Sequence, residues 1–424
     1  MLFGTDHFNR ANIWLGLCCC IAAVAYLPVL NNGFIADDYV ILQRTQFLQT
    51  EPLYLYQVPP ENFRFVSYLV FGVLKGLAGY QAWLFYAVNL GLHIANVILF
   101  GRFLRTLIED EWTVRLAMLL FAVFQAPQEA VMWLAAMNET TLFFFTLLTL
   151  LAWSRKRYVF AAMWYLCALF SKESAIIIPV LILLLDWYQH RRLPGKRHLL
   201  LLLPSAVFAA IFLTTVSNNF MLTNRSYAFG LQAIPVIAVS LHRLAWPWIY
   251  VVIVLAWVKT RRLPSLPVVA AYLGLVAVMM LPYAFIVYQT SLPSRQLYLA
   301  SAVLMTMFAV LTKPLRGSPI LKVLVVSFVG FNIAYLWLRK DGQFEERAAP
   351  TTQLIQMMRR QQPQKIVIRN FAYPYPEIAT ATTLAVPGWS PGLISTEDRE
   401  TLCDGCLELL WNKGELRYDP IVGK

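Results

Sequence analysis

Apolar residues along this chain fall in blocks rather than in stripes. Eleven blocks, at about 11–30, 82–101, 112–125, 138–153, 158–171, 174–188, 199–216, 240–257, 266–286, 297–312 and 319–338, each predict a helix that crosses a membrane. Several are shorter than the ~20 residues a helix needs to cross ~30 Å of hydrocarbon. An amphipathic stretch over 65–80 predicts a helix lying flat on the membrane. Past residue 339 polar and charged residues take over. Residues 351–361 read as a helix, IVIRNF (366–371) as a strand and YPYPE as a turn. The expected fold is a polytopic α-helical membrane protein of about eleven spans (1–338) followed by a small soluble α/β domain (339–424).

Charge orients these blocks. Basic clusters stand at Arg102 and Arg105, at 155–157, at 191–197, at 259–262, and at Lys313 and Arg316. Cytoplasmic loops carry such an excess. The expected topology therefore has the N-terminus inside, a large first outer loop at 31–81, and the C-terminal domain outside. Of the 424 residues 59% are hydrophobic and only 14% charged, with mean hydropathy +0.58. In this setting the net charge of +12 marks inner loops, not a nucleic-acid partner. Cys18, Cys19, Cys20 and Cys167 lie in apolar blocks, as small hydrophobes do. Cys403 and Cys406 lack the further ligands of a zinc site, which leaves a local disulfide or two thiols. The first block has no small-x-small cleavage site, so it reads as a span rather than a cleaved signal.

The ionisable residues worth singling out share the expected outer face: Asp37, Asp38, Arg64, Glu129, Glu139, Lys172, Glu173 and Arg295. An acidic pair at the exit of a span is costly unless it has a partner or a task. Carboxylates there supply a general base, or could hold a divalent metal ion. Arg64, Lys172 and Arg295 suit a phosphate. A base and several cations at a lipid–water boundary suit transfer of a group from a lipid phosphate to a hydroxyl. Plainer roles compete. Lys172 and Glu173 could form a salt bridge where two helices meet, and Glu129 could cap the helix after Pro127. Asn89, His93 and Asn96 share one helix face and read as interhelical hydrogen bonds. Asn138, in NET (138–140), also fits a glycosylation acceptor.

Five segments resemble, in order, those of the GT-C membrane glycosyltransferases, especially the protein O-mannosyltransferase branch that carries TPR repeats. They are NNGFIADDYVI (31–41), the stretch 64–105 with NLGLHIAN, PQEAVMWLAAMNET (127–140), SKES (171–174) and SRQLYLAS (294–301). The resemblance implies an inverting transfer of a sugar from a polyprenyl-phosphate donor, with that lipid-linked sugar as co-substrate. It implies Asp37 as base and Asp38 as an aid in orienting donor or metal. Lys172, Arg295 and, more weakly, Arg64 would hold the donor phosphate. Glu129, Asn138, Glu139, Glu173 and Tyr298 would shape the site or bind the acceptor, a protein, lipid or polysaccharide. The membrane would be a bacterial cytoplasmic one. Three positions depart from the pattern: Phe65 and Ala300 stand where the family has proline, and Met137 where it has arginine. No TPR array follows. The alternative without chemistry is a transporter or flippase, whose path Asn89 and His93 would line.

Overall fold

The computed structural model describes residues 5–50, 64–191, 195–215, 225–287, 289–363, 365–369, 371–390, 394–395, 406–412 and 415–420. The apolar blocks, and several more polar stretches between and after them, become helices. They are α1 (Thr5–Tyr26), α2 (Ala36–Thr50), α3 (Phe65–Ala78), α4 (Ala82–Leu104), α5 (Glu111–Val123), α6 (Glu129–Met132), α7 (Met137–Ser154), α8 (Tyr158–Ser171), α9 (Ile178–His190), α10 (Leu202–Thr215), α11 (Ala233–Ala245), α12 (Trp248–Thr260), α13 (Leu266–Met280), α14 (Tyr298–Leu311), α15 (Pro319–Tyr335), α16 (Asp341–Gln361) and α17 (Tyr375–Ala385).

By length and apolar composition, seven helical segments among the described residues could each cross a membrane; the bent pair α11–α12 makes an eighth if taken as one span. The sequence led us to expect eleven. The difference is one of length. Helix α5 has 13 residues and α8 has 14, or roughly 20 Å at ~1.5 Å per residue. Helices α11 and α12 meet at 65°, where Pro247 cannot continue the ladder of α11. Helix α3 matches the expected amphipathic stretch. It buries Tyr68, Phe71 and Leu74 and leaves Leu69, Val73 and Leu77 exposed.

Burial separates an inner bundle from an outer one. Helix α5 buries every residue from Leu116 to Val123, as a helix apolar on all sides does at the centre of a bundle. Phe121 packs its ring 5.4 Å from Tyr298 and 5.6 Å from Phe143. The 196–214 and 266–283 segments are apolar yet mostly unburied, with Leu203, Leu213 and Leu266 bare. Apolar surface on that scale belongs in lipid.

The helices share a polarity. Asn138, Lys172, Glu173, Tyr283 and Arg295 mark one end of α7, α8, the 173–190 segment, α13 and α14. The opposite ends carry the basic clusters. There Arg197 and His198 pair with Asp186 at 2.8 and 2.9 Å, and Arg316 reaches Asp110 at 3.4 Å.

Helix α15 runs through a π-helical turn at 336–340 straight into α16, giving one helix from Pro319 to Gln361. The domain boundary expected at 338 falls inside it. Gly33 allows α16 to come close: a Cβ there would sit 2.5 Å from Thr352 Oγ1. Helix α17 packs on α2. Beyond lies a four-stranded sheet of β1 (Lys365–Arg369), β2 (Ile394–Ser395), β3 (Cys406–Asn412) and β4 (Glu415–Pro420), in the order β2-β1-β3-β4. Strand β1 is parallel to both its neighbours, while β3 and β4 are antiparallel. The expected strand at 366–371 is β1. Cys403 lies outside the described residues and Cys406 opens β3.

Candidate functional site

One cavity of about 760 Å³ opens at the end of the bundle away from the basic clusters. Asp37, Arg64, Asn138, Lys172, Glu173 and Arg295, all singled out from the sequence, line it together. Arg44, Trp133 and Tyr283 join them. The remaining wall is apolar and aromatic, with Phe208, Phe212, Phe229 and Phe285. A short antiparallel pairing shapes that side: Ala228 N–H donates to the Phe285 carbonyl at 2.9 Å, and Val287 N–H to that of Ser226 at 2.9 Å.

The two aspartates open α2 and part company there. Adjacent residues on a helix point about 100° apart, so one faces the cavity and the other the core. Asp37 is exposed and has no ion-pair partner among the described residues. Asp38 is fully buried; its Oδ2 accepts from Ile35 N–H at 2.8 Å and its Oδ1 from Ala135 N–H at 2.6 Å. It thus ties the start of α2 to the 133–136 loop. Burial pushes its carboxyl up to about 8, with the two backbone donors and Arg347 opposing and Asp37 adding to the rise. Both Asp38 oxygens accept from backbone N–H groups, so of the pair only Asp37 presents its carboxylate to the cavity. Among the described residues no three His, Cys, Asp or Glu side chains gather as metal ligands.

Each expected phosphate contact is held by a glutamate. Arg64 grips Glu173 with two bonds, at 2.9 and 3.2 Å. Lys172 Nζ lies 2.5 Å from Glu139 Oε1, both buried. The Tyr283 hydroxyl donates to Glu139 Oε2 at 2.9 Å and meets Ser174 Oγ at 2.7 Å. Arg295 is the loosest, 3.3 Å from Glu129 Oε2, with its guanidinium 4.8 Å from the Trp133 ring centre. The Lys172–Glu173 pair expected where two helices meet is therefore crossed over: each residue takes a partner from another element.

Tyr298, Glu139 and Glu129 do not line the cavity. Glu139 sits behind Lys172. The Tyr298 hydroxyl is buried against His93 Nδ1 at 2.7 Å. Asn89, His93 and Asn96 make the interhelical bonds their spacing suggests. Asn89 donates to the carbonyls of Ala130 and Val131 at 2.9 Å each and accepts from Thr140 at 2.6 Å; Asn96 donates to the Thr140 carbonyl at 2.8 Å. The single turn α6 has carbonyls that need buried partners. Asn89 supplies one to Ala130 and Val131, and so anchors the turn that leads into the loop bearing Trp133 and Ala135. Asn138 is 4% exposed, an unfavourable place for a glycan. Ser67, Trp133, Asn138, Gln289 and Gln296 each bring a buried polar atom with no partner among the described residues to the cavity wall. Such atoms are rare unless a bound group takes them.

The residues the sequence did not reveal are Arg44, Trp133, Ser174, Tyr283 and Arg347. Trp133 stood within a quoted segment. Nothing local to Arg347 ties it to the site, since Glu129 and Trp133, its partners there, lie more than 200 residues away.

The fold and the site together define a helical membrane protein with a charged, half-apolar cavity at one end. Compared with family models, with curated proteins and with solved structures, the chain finds no match.

Proposed function

We propose that this chain is a glycosyltransferase of the GT-C kind. It would move a sugar from a polyprenyl-phosphate donor to an acceptor hydroxyl at the outer face of a bacterial cytoplasmic membrane. The chain would traverse the bundle eleven times, with its N-terminus inside and the residues past α16 outside. Asp37 takes the proton of the acceptor hydroxyl. The acceptor oxygen bonds to the anomeric carbon as the bond from that carbon to the lipid phosphate oxygen breaks. The bonding pair leaves on the phosphate, and the anomeric configuration inverts. Arg295, the least tightly paired of the three cations that glutamates hold, stabilises that phosphate most directly, while Arg64 and Lys172 stand beside it on their glutamates. One base and a stabilised leaving group suffice, unlike the paired carboxylates of a hydrolase. Asp38 positions Asp37 through the Ile35 and Ala135 backbones.

The observation that carries this reading is Asp37, a carboxylate without an ion-pair partner among the described residues, sharing one cavity with four cations, Arg44, Arg64, Lys172 and Arg295, and an aromatic wall. The cations suit a phosphate and the aromatic wall suits an isoprenoid chain. A transporter would need open polar groups near the membrane midplane. Asn89 and His93 are instead bonded to backbone and to Thr140 and Tyr298.

The test uses purified protein in nanodiscs with radiolabelled polyprenyl-phosphate sugars and a set of hydroxyl acceptors. Release of polyprenyl phosphate by the wild type is expected. A general base contributes about 10²–10⁴ in rate, so Asp37→Asn is expected to lose at least a hundredfold while melting at the wild-type temperature. Equal turnover by the two proteins would overturn the assignment of the base. An absence of turnover by the wild type with every sugar and acceptor would count against transfer.

A further inference from the structure

Two arginines share one tryptophan and one carboxylate. The Arg295 guanidinium, from the start of α14, lies 4.8 Å from the Trp133 ring centre, and that of Arg347, from α16, lies 4.5 Å from it. Both point to Glu129, Arg295 to Oε2 at 3.3 Å and Arg347 to Oε1 at 3.9 Å. Only Arg295 and Trp133 line the large cavity. Arg347 and Glu129 line a separate one of about 290 Å³ behind it. Glu129 is thus a fork between a cation that faces the cavity and one that does not.

From this geometry we infer that Arg347 is a positioning residue: by sharing Glu129 and Trp133, it keeps Arg295 available to the phosphate of the ligand. The inference rests on the reading of the cavity given above. A lone carboxylate beside a lone guanidinium closes into a two-bond pair and neutralises it. Glu129 Oε2 accepts from the Arg295 guanidinium at 3.3 Å and from the Arg295 N–H at 3.4 Å, while Oε1 faces Arg347 at 3.9 Å. The Arg295 guanidinium therefore keeps one long bond instead of two, and part of its charge uncompensated. Arg347 also lies against the Trp133 ring that Arg295 packs on. Helix α16 is placed to do this by the close approach of Gly33 to Thr352 and Ala348, and by the Tyr373 hydroxyl, which donates to the Arg347 carbonyl. The segment past the last apolar block is on this account part of the binding site.

The experiment measures binding of sugar-free polyprenyl phosphate to the full chain in nanodiscs, with melting temperature recorded in parallel. Arg295→Ala is expected to weaken binding more than about tenfold, the effect of one lost charged contact. Arg347→Ala is expected to weaken it about tenfold, because Glu129 then captures Arg295, and Arg347→Lys to restore most of it. The distinguishing variant is the double one, Glu129→Gln with Arg347→Ala. With no carboxylate to capture it, Arg295 is available again, so binding returns to within about threefold of wild type. A role for Arg347 confined to packing would leave the double variant as weak as the single one. That result, or wild-type binding by Arg347→Ala, overturns the inference and leaves the cavity assignment standing. Failure of the wild type to bind polyprenyl phosphate would instead overturn the cavity assignment itself.

Discussion

At the scale of single residues, the adjacent aspartates show how far sequence reaches. Their placement after an apolar block marked them. Their division of labour follows from the helix they open, because neighbours on a helix cannot face the same way. Which one turns inward was not legible, since it depends on the 133–136 loop nearly a hundred residues on. The inward turn has a thermodynamic consequence. Burial lifts Asp38 from the ordinary 3.8 to about 8. Between those values the unfolded chain has released the proton while the folded chain still holds it. Stability therefore falls as pH rises through that window, by up to about 1.4 kcal/mol per unit for one group. Melting of the detergent-solubilised protein should thus fall in temperature from pH 5 to pH 8, and Asp38→Asn should flatten that slope. The variant starts lower, because an amide offers one acceptor to two backbone donors, at a cost of about 1–3 kcal/mol. A parallel slope in the variant would show that another group carries the dependence.

Among elements, the helices were legible and their lengths were not. Hydropathy finds an apolar block whether or not it is long enough to cross alone. The 13 residues of α5 are too few to cross alone, and other helices surround them. The strand at 365–369 was also visible as a run of β-branched residues. The packing of α16 on the 31–35 segment was invisible, because nothing in either stretch announces the other. Gly33 is the point of contact, and a Cβ there would crowd Thr352 Oγ1. Overpacking of this kind costs about 1–3 kcal/mol. Gly33→Ala is therefore expected to lower the melting temperature of the purified protein and, by shifting α16, to weaken polyprenyl phosphate binding. Thr352→Ala removes the obstructing hydroxyl, leaving the new methyl against Ala348. The double variant should regain most of both losses. If the losses simply add, the crowding is not at this contact.

In the whole molecule, the ends of the bundle count crossings better than helix length does. Helix α5 starts beside Asp110, which meets Arg316 at the basic end, and the chain past its far end reaches Gln128, bonded to Ser294 near the cavity. Helix α8 starts at Arg157 and stops at Lys172; the next segment runs from Glu173 to Asp186 and His190. The bent pair follows Tyr227, which lines the cavity, and precedes α13, whose far end returns to it at Tyr283. Short helices can serve as crossings here because the cavity cuts into the end of the bundle. Irregular backbone at membrane depth is tolerated where it lines a polar cavity or is buried in protein, as 124–136 and 172–177 are. Counting these traverses with the longer helices gives the eleven we propose, an odd number that on this reading puts the two termini on opposite sides. Seven crossings would also separate them, but would misplace the loops between. The tests that decide are reporters or accessible cysteines in the loops after residues 156, 192, 262 and 316. All four should report the side of the N-terminus, whereas a cysteine at Asp37 and a reporter after Lys424 should report the other. If the loops after 156 and 192 lie on opposite sides, α8 and α9 do not form a returning pair. Lys172 and Glu173 would then be displaced from the face that holds Asp37, and the shared cavity would no longer be possible.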